Sequence, residues 1–269
     1  MHPSIMRRRL RSGEPVRLAF LYYPNDMFAR HAAAAGFDAV CVDAEHNEWA
    51  PREIKRLGAL HRLAGIDCLV RTGARNPTDL ARLLEDGAAG IIAPLIGSAA
   101  EAAALGQAVK FPPLGRRGMD GAGLDNDFAV GGARGYAAAA NAETLLVVQI
   151  ETPEAVEEVE AIAAAPGVDG LFFGLGDLSL RLGCEPDWRE PRLAQARTRA
   201  AAAAQRRGIA WGGVVGSAAD TATFLRLGAR LLAHGSDFGA VRTMLPVFSR
   251  VLADGIVQAG AMNPEDGQA

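Results

Sequence analysis

Lysine is almost missing from this sequence. Of its 28 basic residues only Lys55 and Lys110 are lysines, so an imine-forming nucleophile has two candidates and no more. Cysteine is scarce too: Cys41, Cys68 and Cys184 are odd in number and lack metal-site spacing. The first two fall in apolar runs, as reduced, buried thiols of a cytoplasmic protein would. No apolar run approaches the roughly 18 residues of a membrane helix. Residues 1–11 are basic, but no apolar stretch of a secretory signal follows them. A formal charge of -3 leaves no electrostatic footprint for nucleic acid. With no nucleic acid and no membrane as partner, a small molecule is expected.

What is present is enough apolar residue for one large core, 49% of 269 positions, and a repeating beat. Strands are expected at 16–22, 39–43, 67–71, 90–94, 145–151, 170–173, 209–215 and 230–234. Helices are expected at 25–35, 51–63, 77–84, 98–110, 133–141, after Thr152-Pro153, and at 190–207, 218–227 and 238–258. The Gly- and Pro-dense stretch 111–132 breaks the beat and reads as a long loop, functional or mobile. Residues 1–12 and 262–269 read as flexible tails of a single domain spanning 1–269. Eight strands in strict alternation with helices indicate an α/β fold, a (β/α)8 TIM barrel, whose sites lie at the carboxyl ends of the strands.

Those ends carry Asp43-Ala44-Glu45-His46, Arg71, Gln149-Ile150-Glu151, Gly174-Leu175-Gly176-Asp177 and His234-Gly235-Ser236-Asp237. Alternation puts Gln149 and Glu151 on one side of their strand. If the strands ending at Glu151 and Gly174 are parallel neighbours, Glu151 meets Asp177. Two acids without a cysteine or a histidine pair suit a hard or borderline divalent cation such as Mg2+, Mn2+ or Co2+. Plainer readings stand beside this one. Asp177 and Thr152 could cap the helices that follow, His46 could be a solvated loop histidine, and Arg71 could be the ion-pair partner of Asp43. Lys55 falls in a helix and Lys110 at a helix end, so imine chemistry inside the barrel is excluded. A cation is then the available electron sink for any carbanion step.

The segments GFDAVCVDAEH (36–46), LVR (69–71), LLEDGAAGIIAPLIGSAAEA (83–102), FPPLGRRG (111–118), QIETPEAVE (149–157) and PGVDGLFFGLGDLSLRLG (166–183) together resemble the HpcH/HpaI family of class II pyruvate aldolases. These members cleave 4-hydroxy-2-oxo acids of the 4-hydroxy-2-oxoheptanedioate or 2-dehydro-3-deoxyglucarate type. The resemblance implies a phosphoenolpyruvate/pyruvate-type barrel, a cytoplasmic lyase, pyruvate and an aldehyde as substrates, and a divalent cation as cofactor. It implies Glu151 and Asp177 as metal ligands and His46 as the proton-transfer group, with Asp43 supporting that corner. Arg71 would contact the keto oxygen; Gln149, the backbone of Gly176, and Val214 would line the pocket. It also implies a hexamer, a trimer of dimers with exchanged C-terminal helices, in which Glu85 approaches a neighbour's histidine region. The family's usual aspartate is Glu85 here, its usual Pro-Ala is Leu175-Gly176, and Asn47-Glu48-Trp49 replaces smaller residues, changes expected to alter pocket shape. Decarboxylation of a 2-oxo diacid such as oxaloacetate is the alternative reaction. Action on CoA thioesters and a non-catalytic small-acid sensor are less favoured.

Overall fold

Successive side chains of a strand point to opposite faces, and in this chain both faces are apolar. Such strands are stable only in a sheet covered on both sides. A computed structural model describes residues 2–259 and shows how the covering is done. Strands β1 (Val16–Leu21), β2 (Ala39–Ala44), β3 (Asp67–Thr72), β4 (Gly90–Ala93), β5 (Leu145–Ile150), β6 (Gly170–Phe173), β7 (Ala210–Val214) and β8 (Leu231–Ser236) pair in parallel in chain order. The pairing of β8 with β1 closes the expected (β/α)8 barrel.

One face of the strands fills the barrel: Leu18, Phe20, Cys41, Leu69, Ile92, Val147, Phe172 and Ala233 pack there. The other, with Val40, Val42, Val70, Ile91, Val148 and Phe173, packs under the helices. The inward phase decides the site. Asp43 follows Cys41, Arg71 follows Leu69 and Gln149 follows Val147 by two residues, so all three face the axis at the carboxyl rim.

The expected loose tail over 1–12 is corrected. Ile5–Arg11 is a helix, and it plugs the opposite, amino end of the barrel. Ser4 Oγ donates to Asp67 Oδ2 at 2.7 Å, the Met6 N–H donates to the same oxygen at 2.8 Å, and the Met6 side chain is buried among the barrel's inner residues. About two turns of helix with one buried side chain carry no periodicity to read. Met6→Ala is expected to lower unfolding free energy by about 2–5 kcal/mol, read as a fall in the urea midpoint. An unchanged midpoint would show that the helix does not seal the barrel. The tail expected at 262–269 lies outside the described residues.

The same end holds Lys110, whose Nζ donates to Thr144 O at 2.6 Å and Asp169 Oδ2 at 2.8 Å, while Lys55 is exposed and pairs with Asp86 at 3.5 Å. Neither lysine reaches the carboxyl rim. The stretch 111–132 is pinned by a buried ion pair, Arg117 Nη2 to Asp125 Oδ2 at 3.0 Å, with the Arg117 guanidinium 4.5 Å above the Phe111 ring. Cys41 and Cys68 are buried and free. The last helix, Asp237–Gln258, buries only Asp237 against its own barrel.

Candidate active site

Strand register sets the first corner. Asp43 and Arg71 are direct partners across β2 and β3, and Arg71 grips the carboxylate with two bonds, Nε to Oδ1 at 2.9 Å and Nη2 to Oδ2 at 2.8 Å. The ion pair read as the plainer alternative for Arg71 is therefore present, and Asp43 is fully buried in it. It does not exhaust the guanidinium, because Nη1 has no partner among the described residues and can donate into the mouth. Burial opposes the charge on Arg71, yet hydrogen bonding to Asp43 and the Asp43 and Glu45 carboxylates hold its pKa above the ordinary value. It stays cationic.

Asp43 does not hydrogen-bond His46. The residue beside the histidine is Glu45, whose Oε2 lies 3.6 Å from His46 Nε2 and 3.3 Å from Arg71 Nε. Burial raises the Glu45 pKa against the lowering effect of Arg71, and Glu151 raises it further. The His46 ring itself is exposed at the rim. Trp49 is not a pocket residue. It is buried under the helices, with its indole N–H donating to Asp43 O at 2.8 Å, where it packs with Ile54 ahead of helix Pro51–Ala64.

The second corner is Glu151, one residue beyond β5 and wholly buried. Its oxygens accept from two neutral donors: Leu95 N–H at 2.6 Å and the side-chain amide of Gln149. No Arg, Lys or His pairs with it among the described residues. Burial raises its pKa against the lowering effect of the Leu95 and Gln149 hydrogen bonds and of Arg71, and Asp177 adds to the rise. Gly174 faces it from the end of β6, where a Cβ would meet Glu151 Oε2 at 2.5 Å and Glu151 Cβ at 2.6 Å, so only glycine leaves room for this carboxylate. Leu95 holds a left-handed backbone, φ 54°, which costs a leucine of the order of 1–3 kcal/mol and persists only where neighbours enforce it.

Asp177 is half-buried in the first turn of helix Leu175–Leu182, an element that periodicity had not separated from the strand before it. Its N-cap is Gly174, so Asp177 is not the cap, and the leading N–H groups at Leu175 and Gly176 have no intrahelical carbonyl to meet. Val214, in inward phase at the end of β7, is 47% exposed although apolar, as a residue lining the mouth would be. Glu85 is elsewhere: helix Pro77–Glu85 ends at the amino side of the barrel, where burial raises the Glu85 pKa beside Arg117 and Asp125.

A buried carboxylate with only neutral donors is electrostatically unfinished, and a cation is what completes it. Gln149 Oε1, buried beside it without a donor, is a second group awaiting a partner. The residues thus fit a divalent ion. Among the described residues no three acidic, histidine or cysteine side chains gather as a ready cluster, so such an ion would take two protein carboxylates and fill its shell with water and substrate oxygens.

The model of the HpcH/HpaI aldolase/citrate lyase family matches residues 18–243, which takes in every strand from Leu18 onward and each of these rim residues. The chain belongs to the HpcH/HpaI family. It is accordingly an enzyme, a carbon–carbon lyase of the aldolase type. Among its HpcH/HpaI relatives is the hydroxypyruvate/pyruvate aldolase of Rhizorhabdus wittichii, 32% identical over 256 residues, 93% of this chain and 96% of that one. Another is the 5-keto-4-deoxy-D-glucarate aldolase of Klebsiella pneumoniae, 34% identical over 78% of this chain and 81% of the relative. A solved HpcH/HpaI aldolase from Desulfitobacterium hafniense superposes with TM-score 0.84 at 30% identity, covering 96% of this chain and 97% of that one. No helix among the described residues is long and apolar enough to cross a membrane.

Within this HpcH/HpaI barrel, Asp43, His46, Arg71, Gln149, Glu151, Gly176, Asp177 and Val214 all belong to the carboxyl rim, whereas Glu85 does not join them within one chain. Two participants escaped sequence reasoning. Glu45 was visible beside His46 but had no distinguishing spacing. Leu95 contributes a backbone N–H, for which a side-chain pattern holds no signal.

Proposed function

We propose that the chain reversibly cleaves a 4-hydroxy-2-oxo acid to pyruvate and an aldehyde, using a divalent cation (Mg2+, Mn2+ or Co2+) held by Glu151 and Asp177. The observation that carries this reading is the buried Glu151 carboxylate, which has neutral donors only and stands at a rim with an arginine and a histidine. When bound, the cation supplies Lewis acidity to the 2-oxo group, making the adjacent carbon acidic.

The chain's own residues do the rest. The leading N–H groups at Leu175 and Gly176 receive the substrate carboxylate, with the partial positive charge of the helix start behind them. Arg71 Nη1 donates to the keto oxygen, a bond that strengthens as negative charge develops there. In cleavage His46 takes the C4 hydroxyl proton, the bond between C3 and C4 breaks, and the aldehyde departs. His46 then returns a proton to C3, and Glu45 at 3.6 Å steadies the charged imidazole. Gln149 holds Glu151 in place, and Val214 gives the mouth an apolar wall.

Exchange of pyruvate methyl protons in D2O, followed by proton NMR with Mg2+, tests the core of this. Exchange is expected to stop on chelation and to slow on the order of a hundredfold in His46→Ala. Undiminished exchange in chelator would reject the cation, and unchanged exchange in the variant would remove His46 from proton transfer. Oxaloacetate belongs in the same assay. Release of CO2 with no aldehyde formed from any 4-hydroxy-2-oxo acid would assign the decarboxylase alternative.

Assembly follows the same reading. Phe238, Val241, Leu245, Phe248 and Leu252 recur at heptad spacing along Asp237–Gln258 and are all exposed, which supports exchange of this helix with another copy in a hexamer of three dimers. Glu85, at the amino side of its own barrel, would then serve a neighbour's site.

A further inference from the structure

We propose that Arg75, an exposed residue in the loop after β3, is a positioning residue that sets the Glu151 carboxylate through one peptide group. The inference rests on the reading of Glu151 as a cation ligand. Arg75 Nη2 donates to Pro94 O at 2.5 Å, and the N–H of the same peptide unit, on Leu95, donates to Glu151 Oε1 at 2.6 Å. Guanidinium, amide and carboxylate therefore form a single chain of hydrogen bonds, from a positive charge outside the core to a negative one inside it. Donation to a carbonyl polarises the amide and makes its N–H a better donor, so each bond strengthens the other.

The backbone geometry supports the assignment. A leucine does not rest in the left-handed region unaided, and Leu95 does so at the one point where its N–H can meet Glu151. The turn is held from both sides. Pro94 follows the last residue of β4, and beyond Leu95 the Gly97 N–H is taken by Glu101 Oε2 at 2.9 Å, just ahead of helix Ala99–Val109. On the arginine's side, Ala74 N–H donates to Thr72 Oγ1 at 3.1 Å and Arg75 Nη1 to Ala74 O at 3.2 Å, which orients the loop toward Pro94. With Oε1 fixed by this relay and Oε2 by the Gln149 amide, the direction of the remaining lone pairs is determined before any cation arrives. Groups that orient metal ligands in this way are commonly worth 10- to 100-fold in affinity.

The test is titration of the full-length protein with Mn2+ without substrate, reading free ion by electron paramagnetic resonance, alongside the thermal midpoint in chelator. Arg75→Ala is expected to weaken Mn2+ binding about 10- to 100-fold while leaving the midpoint in chelator unchanged, and Arg75→Lys to restore affinity to within a few fold. Wild-type affinity in Arg75→Ala overturns the proposal, as does lost affinity that merely tracks a lowered midpoint. If Glu151→Gln binds Mn2+ as tightly as the wild type, the ligand reading fails and this inference with it; if only Arg75→Ala behaves as wild type, this inference alone fails.

Discussion

Glu151→Gln is expected to lower lyase turnover by three orders of magnitude or more, beyond the ten- to hundredfold typical of groups one step removed from a metal. The protein itself should tolerate the change. The replacement has the same shape, and the Gln149 amide can turn so that its Oε1, buried without a donor in the native site, accepts from the new side-chain amide. Removing a buried charge that has only neutral donors relieves a desolvation cost. In chelator the variant should therefore be as stable as the wild type or more stable. Addition of Mn2+ at a hundred times its Kd should stabilise the wild type by about 2.7 kcal/mol and the variant hardly at all. A variant that loses stability in chelator, or gains as much from Mn2+ as the wild type, would contradict the role given to this carboxylate.

Arg71→Ala is expected to act twice. Loss of a donor aimed at the developing oxyanion costs on the order of 10² to 10³ in kcat. The same change strands Asp43, which is fully buried and keeps only the Glu45 N–H at 3.2 Å, a loss of about 3–5 kcal/mol of stability. The two effects separate in the double variant. Asp43→Asn with Arg71→Ala removes the stranded charge and should recover much of the urea midpoint while kcat stays low. Recovery of both would make Arg71 a structural partner of Asp43 and nothing more. Low stability with full turnover in the single variant, assayed while folded, would lead to the same conclusion.

Legibility differed sharply between the two corners of the site. Asp43, Arg71 and Gln149 could be placed on the axis because strand phase is a local property: each lies two residues beyond an apolar inward residue. Glu151 and Asp177 could be brought near each other because parallel neighbours end at the same rim, as β5 and β6 do. The histidine's partner was not legible in this way. Which carboxylate stands beside His46 depends on how the chain turns after β2, and there Trp49 is drawn into the core and Glu45, rather than Asp43, faces the ring. Leu175–Leu182 was missed because its first turn carries glycine, and Leu175, Leu178 and Leu182 follow the apolar run of β6 with only Gly174 between. The N-terminal plug was missed for a related reason, since the value of Met6 lies in a hole that exists only once eight strands have closed.

Alternation of apolar runs with helical segments, read along the chain, was sufficient for the barrel, for its carboxyl rim and for the residue types on it, because strand period and helix period are set within a few residues of each other. Charge state and direction were decided by the tertiary fold alone. Glu151 is ordinary as a letter; it becomes a buried carboxyl group with neutral donors only, among the described residues, because Gly174 leaves space beside it, Gln149 turns inward, and a strained Leu95 arrives from the end of another strand with its N–H. Desolvation and hydrogen-bond geometry depend on what surrounds a group in three dimensions, and these neighbours come from three different strand ends of the barrel.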